Sequence, residues 1–110
     1  MRDYCSGFYT LQDCNEALRL KPNDPRTLDR RGLALLRMGQ LKDAIKDYEA
    51  ALKLDPKIPG ALYGRGVAKL MSGEAAASAS SIEAAKALKP TIADEFARYG
   101  VRAVAPKNVN

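Results

Sequence analysis

The stretch DPRTLDRRGLALLRMGQLKDAIKDYEAALKLDP, residues 24–56, reads as two amphipathic helices folded back on each other. In its second half Leu41, Ala44, Ile45, Tyr48, Ala51 and Leu52 recur at steps of three and four, a wide apolar stripe on a helix over 41–54. The opposite face carries Lys42, Lys46, Glu49 and Lys53, a solvated pattern, and Pro56 lies where a helix has already stopped. The first half opens on Asp24-Pro25, an N-cap followed by proline at the first helical position. Leu28, Gly32, Leu35 and Leu36 form its stripe, and Gly39 is placed as its C-terminal stop. With only Met38-Gly39-Gln40 between them, the two helices make an antiparallel αα-hairpin.

Outward from this stretch the plan recurs. Gly32, Gly66 and Gly100 stand 34 residues apart, as do Pro22, Pro56 and Pro90, Ala17, Ala51 and Ala85, and Leu20, Leu54 and Leu88. With only 8 Gly and 6 Pro in 110 residues, composition does not account for these interleaved ladders. Self-similarity at this step marks a stacked repeat, in which each unit buries its apolar face only against its neighbours. Pro59 opens the next helix through Leu62, Gly66 and Leu70, and Gly73 ends it. A helix from about Glu74 to Leu88 follows, rich in Ala and Ser, with a thin buried face of Ile82, Ala85 and Leu88. Ser78, Ser80 and Ser81 read as its surface. Thr91 and Asp94 form a capping-box-like start to a closing helix over 91–105, which carries Phe96, Tyr99 and Gly100 and stops at Pro106. Upstream, a single helix from Phe8 to Leu20 holds Cys14, Ala17 and Leu18 in phase with the later units.

The expected fold class is therefore all-α, an αα-hairpin superhelix with no strands. A single domain over 1–106 would hold a half repeat at 7–20, repeats at 25–56 and 59–90 and a closing helix at 91–105, before a frayed tail at 107–110.

Bulk properties narrow the function. Hydrophobic content of 46% and charged content of 28% are ordinary for a globular chain, and no apolar run approaches the roughly 20 residues of a membrane span. Residues 1–7 lack the apolar core of a secretory signal, so a cytoplasmic protein is expected. The net charge of +5 favours an acidic partner, and with no run of five basic residues that partner is expected to be protein or peptide rather than nucleic acid. Cys5 and Cys14, nine residues apart, would fall on opposite sides of a continuous helix about 13 Å apart, too far for an internal disulfide. Cys14 then reads as a small core residue and Cys5 as an exposed thiol. With no histidine there is no zinc-ligand pattern, no phosphate-cradling loop and no nucleophile beside a base, so neither a cofactor nor catalysis is expected.

The chain resembles the tetratricopeptide repeat family. That family's hairpin sets a large residue, Leu-Gly, another large residue, then Ala, an aromatic, Ala and a turn Pro. The matching positions are Leu28, Arg31-Gly32, Leu35, Ala44, Tyr48, Ala51 and Pro56, then Leu62, Arg65-Gly66, Lys69, Ser78, Ile82, Ala85 and Pro90. Phe96 and Tyr99-Gly100 begin a third unit, and Thr10, Cys14, Ala17 and Pro22 close a first. Arg31 and Arg65 replace the usual leucine, and Lys69 and Ser78 also depart from the pattern. The resemblance implies a right-handed superhelical stack whose first helices line a groove for an extended or helical peptide. Carried onto this chain, the groove residues are Arg26, Asp29, Arg30, Leu33 and Arg37, then Tyr63, Gly64, Val67 and Met71, then Asp94, Arg98 and Val101. Helical spacing independently puts Arg26, Arg30, Leu33 and Arg37 on one face, for which a merely solvated face is the competing reading. Tyr63, Val67 and Met71 are expected to be a partly exposed apolar floor, with core packing the alternative. Some relatives hold a C-terminal carboxylate with a Lys/Asn/Arg clamp, but this groove face has no Asn.

The leading expectation is thus a non-catalytic interaction module, a scaffold or adaptor that binds an acidic or amphipathic peptide. A second is self-association, as a homo-oligomer, through the unpaired first helix and its Tyr4, Phe8, Tyr9 and Leu11. Weak nucleic-acid binding is a third, permitted by charge but without a motif and with only 6% aromatics.

Overall fold

The computed structural model describes residues 11–104, which form six helices and no strand. They are α1 (Leu11–Leu20), α2 (Pro25–Arg37), α3 (Leu41–Leu54), α4 (Pro59–Met71), α5 (Ala75–Leu88) and α6 (Ile92–Arg98). The bounds of α3 and the proline starts of α2 and α4 agree with the sequence reading. Asp24 caps α2 as expected: its carboxylate accepts from the Arg26 N–H at 3.3 Å and from the Thr27 hydroxyl at 2.7 Å.

Glycine ends three of the helices by one device. Gly39, Gly73 and Gly100 have φ of +81°, +90° and +81°, the left-handed region that side chains resist. Beyond each helix the chain turns back to donate to the last carbonyls: Gln40 N–H to Leu35 at 2.9 Å, Glu74 to Lys69 at 2.8 Å and Val101 to Phe96 at 2.9 Å. Gly100 therefore corrects the sequence reading. Its number matches Gly32 and Gly66, but it stops a helix as Gly39 and Gly73 do, so α6 ends at Arg98 rather than near Pro106. Thr91 is the N-cap of α6 but makes no side-chain capping bond, contrary to the expected capping box.

The other small residues do bring helices close. A Cβ on Gly32 would stand 2.8 Å from Tyr48 Cε1, and one on Gly66 would stand 2.6 Å from Ile82 Cγ1 and 3.1 Å from the Ser78 carbonyl oxygen. Tyr48 is wholly buried, wedged between Gly32 of α2 and Gly64 of α4, and so joins the first hairpin to the second. In the second hairpin Ser78 and Ser81 are buried together with Ala85, while Leu88 is exposed. Ser78 and Ser81 are core rather than surface because α5 approaches α4 closely at Gly66, where the Ser78 backbone and the Ile82 side chain lie; Ser80 is exposed as expected.

Arg31 and Asp47 explain one departure from the repeat pattern. The guanidinium grips the carboxylate with two bonds, 2.6 and 2.8 Å, and also donates to Asn15 Oδ1 at 3.0 Å. Asp47 is only 5% exposed, so a leucine in place of Arg31 would leave its charge unpaired. One repeat later Arg65 donates to Ser81 at 3.1 Å across the same separation of 16 residues.

Cys14 corrects another expectation. It is buried on α1 and disulfide-bonded rather than a free core thiol. The long separation expected between the two cysteines holds only for a helix continuous through Cys5. That residue lies outside the described residues, as do Tyr4, Phe8, Tyr9, Thr10 and Pro106.

Candidate functional site

Contacts between alternate helices show which side of the stack is concave. Besides packing on their sequence neighbours, α2 touches α4 and α4 touches α6. By contrast, α1 and α3 do not meet, nor do α3 and α5. The even-numbered helices crowd together while the odd-numbered ones splay, so the stack bends with α2, α4 and α6 on its inner side. Between α2 and α6 there is no close backbone contact.

Two clefts open on this side. The first, of about 260 Å³, lies at the N-terminal end of α4. Asp29, Arg30 and Leu33 of α2 form one wall, Ile58, Pro59 and Gly60 the base, and Lys89, Ile92, Glu95, Phe96 and Tyr99 the other wall. The second, of about 310 Å³, lies at the C-terminal ends, between Leu36, Arg37, Gly39, Met71 and the segment Gly100–Val104.

The residues chosen from sequence divide between these places. Asp29, Arg30 and Leu33 share the first cleft, and Arg37, Met71 and Val101 share the second. Arg26, Asp94 and Arg98 are exposed outside both clefts. Tyr63 and Val67 are corrections: they are 3% and 0% exposed and belong to the core, not to an open floor. The closing helix covers Tyr63, its Phe96 ring meeting the Tyr63 ring edge-on at a centroid distance of 4.8 Å. Gly64 also lies in the interior, beneath the Tyr48 ring, rather than on the groove. Leu11, the one described member of the self-association set, is half-buried beside Asn15, Arg31 and Leu35.

Sequence reasoning missed much of the first cleft. Ile58, Pro59, Gly60 and Lys89 come from the ends of inter-repeat turns, and Ile92, Glu95 and Tyr99 from α6 and its end. The signal for them was the proline ladder, because Pro56 and Pro90 locate the turns that deliver the next inner helix.

Electrostatically the first cleft is mixed. Lys89 is ion-paired with Glu95. Burial raises the Asp29 carboxyl to about 6, with the Arg30 guanidinium opposing the rise. Both Asp29 oxygens lie 3.3 Å from where a Cβ on Gly60 would be, so the missing side chain lets the carboxylate rest against α4. Behind it the Tyr48 hydroxyl is buried with no hydrogen-bond partner among the described residues. Burial pushes that phenol well above its usual range, and the Asp29 and Asp47 carboxylates add to the rise. The Tyr63 phenol is raised too, by burial and then by Asp94.

The six described helices, paired by adjacent packing and joined by glycine-stopped turns, define an αα-hairpin solenoid. A family model for the tetratricopeptide repeat matches residues 30–91, more than half the chain, and the chain belongs to that family. No curated protein matches it. Tetratricopeptide repeats generally mediate protein–protein interactions and are generally non-catalytic modules. Among the described residues no helix is long and apolar enough to cross a membrane.

Proposed function

We propose that this chain is an interaction module that docks an acidic or amphipathic peptide segment on the inner side of α2, α4 and α6. The observation that carries the reading is the pair of clefts bordered by α2, α4 and the α6 end of the chain, on the side toward which the stack bends. Arg30 and Arg37 line the two clefts, and with the exposed Arg26 on α2 and Arg98 on α6 they would steer an acidic guest, since guanidinium forks suit carboxylates. Met71, half-buried, offers an adaptable apolar contact in the second cleft. Asp94 contributes to the local field rather than to attraction of an acidic guest. Tyr63 and Val67 would support the surface from beneath without touching the guest.

The test is a displayed peptide library selected on the intact chain, with Arg26→Glu/Arg37→Glu as counter-target. Enriched peptides should be acidic or amphipathic, bind more weakly as salt rises, and lose binding to the double variant. Peptides indifferent to both salt and charge reversal would overturn the reading.

Self-association is a second reading, prompted by one observation: among the described helices α1 packs on α2 alone. Sedimentation over a hundredfold concentration range decides it, and a persistent monomer removes it.

A further inference from the structure

Among the described residues the Asp29 carboxylate has no hydrogen-bond or ion-pair partner, yet it is half-buried on the wall of the first cleft. The neighbouring opposite charge on the far wall is already committed, because Lys89 is paired with Glu95. Beside the charged Arg30, Lys89 and Glu95, the lining around Asp29 is apolar: Leu33 from α2, Ile58 at the start of α4, and Ile92 and Phe96 from α6. Tyr99, whose ring is partly exposed, stands at the rim. A partly desolvated carboxylate at the end of an apolar slot suits a cation carried on an aliphatic stem. The stem packs against hydrocarbon and the charged tip reaches a carboxylate on which, among the described residues, only the Arg30 charge acts. An aromatic ring at the rim adds attraction for the same charge. A peptide carboxylate fits poorly, since it would be set beside Asp29 and Glu95.

We propose that this cleft is an anchor subsite for a lysine or arginine side chain of the docked peptide, with Asp29 as its counter-ion. The proposal rests on the inner side of α2, α4 and α6 being the docking surface and names what one residue of the guest does there. The guest is then amphipathic with charges of both signs: acidic positions toward the arginines and one basic anchor in the cleft.

The charged and titratable groups facing Asp29 are Arg30 on its own helix, the Tyr48 hydroxyl on α3, and Lys89, Glu95 and Tyr99 around α6. Asp29, raised to about 6 by burial, is the group through which pH would act. A bound cation requires the ionised form, so binding is full above that value and weakens as the carboxyl takes up its proton.

The experiment is an NMR titration of the intact, isotope-labelled chain with N-acetyl-lysine N-methylamide. The norleucine amide provides the same stem without charge, and the glutamate amide the opposite charge. The lysine probe should give saturable shifts at the amides of Leu33, Gly60 and Phe96 at pH 7.5. Affinity should fall about tenfold at pH 5, and about tenfold for the norleucine probe or for Asp29→Asn at pH 7.5. Equal binding of lysine and norleucine, preference for glutamate, or absence of saturable shifts with lysine each overturns the proposal. The pH series on the unaltered chain decides the question even if the variant folds poorly. Failure here leaves the wider docking reading standing, because that reading is tested through Arg26 and Arg37, which lie outside this cleft.

Discussion

Gly64→Ala should destabilise the fold, although the same exchange on an exposed helix surface stabilises it. Replacing a helical glycine by alanine ordinarily gains about 1 kcal/mol from backbone entropy. Here the new Cβ would stand 2.2 Å from Tyr48 Cζ, 2.4 Å from its hydroxyl oxygen and 2.5 Å from Cε2. Carbon atoms in ordinary contact lie about 3.5–4.0 Å apart, so the ring would have to move by more than about 1 Å. It has little room to retreat, because Gly32 lies against its other edge. The remaining route is to push α4 away from α3, which opens the joint between the two hairpins. Overpacking of this kind costs about 1–3 kcal/mol, and the severity of the contact puts this case at the upper end. Offset by the propensity gain, the net loss should be about 2 kcal/mol. In a domain near 100 residues that lowers the melting midpoint by about 8 °C or more, measurable by circular dichroism at 222 nm. A double-mutant cycle isolates the cause: in a Tyr48→Leu background Gly64→Ala should become neutral or stabilising, a coupling of about 2 kcal/mol. An increase in stability of Gly64→Ala alone, by the ordinary helical amount, would refute the wedge.

Groups that the fold leaves in unusual states supply three more tests. Tyr48→Phe removes a buried hydroxyl that has no partner among the described residues and should raise stability by about 1 kcal/mol in urea unfolding; a loss of that size would mean that the hydroxyl is bonded after all. Asp29 has a folded-state value of about 6 against an ordinary 3.8, so the folded chain binds more protons between those limits and loses stability as pH rises through them. The gap corresponds to about 3 kcal/mol, reduced to about 1–2 by water at this half-buried group, so Asp29→Asn should stabilise by that amount at pH 7.5 and hardly at all at pH 3.5. Arg31→Leu, although it restores the commoner repeat residue, strands the buried Asp47 charge and should lose about 3 kcal/mol; Arg31→Leu/Asp47→Leu should recover most of it, and a neutral single variant would deny the pair any structural role.

The helices were legible because each hairpin declares itself locally, through a stripe of period 3.6, a proline start and a glycine stop. Gly32 and Gly66 were correctly read as points of close approach. The sequence did not disclose how one hairpin is rotated on the next, and the site depends on that rotation. Tyr63, Val67 and Gly64 carry spacings compatible with either an open face or a buried one. Only the placement of α6 over Tyr63 and of Tyr48 under α4 decides between them. Gly100 misled because a constant step length says nothing about φ. Arg31 stood out as a departure from the repeat pattern, but its partner was missed for a related reason: Asp47 lies on the next helix, across a turn, and nothing within α3 marks it.

The most direct measurement of the central claim is an amide shift map of the intact chain with a peptide selected on it. Changes should gather at Arg26, Leu33, Arg37, Met71 and Arg98, on the side where the even-numbered helices converge. Changes confined to Lys42, Lys46 and Lys53 of α3 and to Glu83 and Lys86 of α5, with the inner helices silent, would place the guest on the outer side and contradict an inner docking surface.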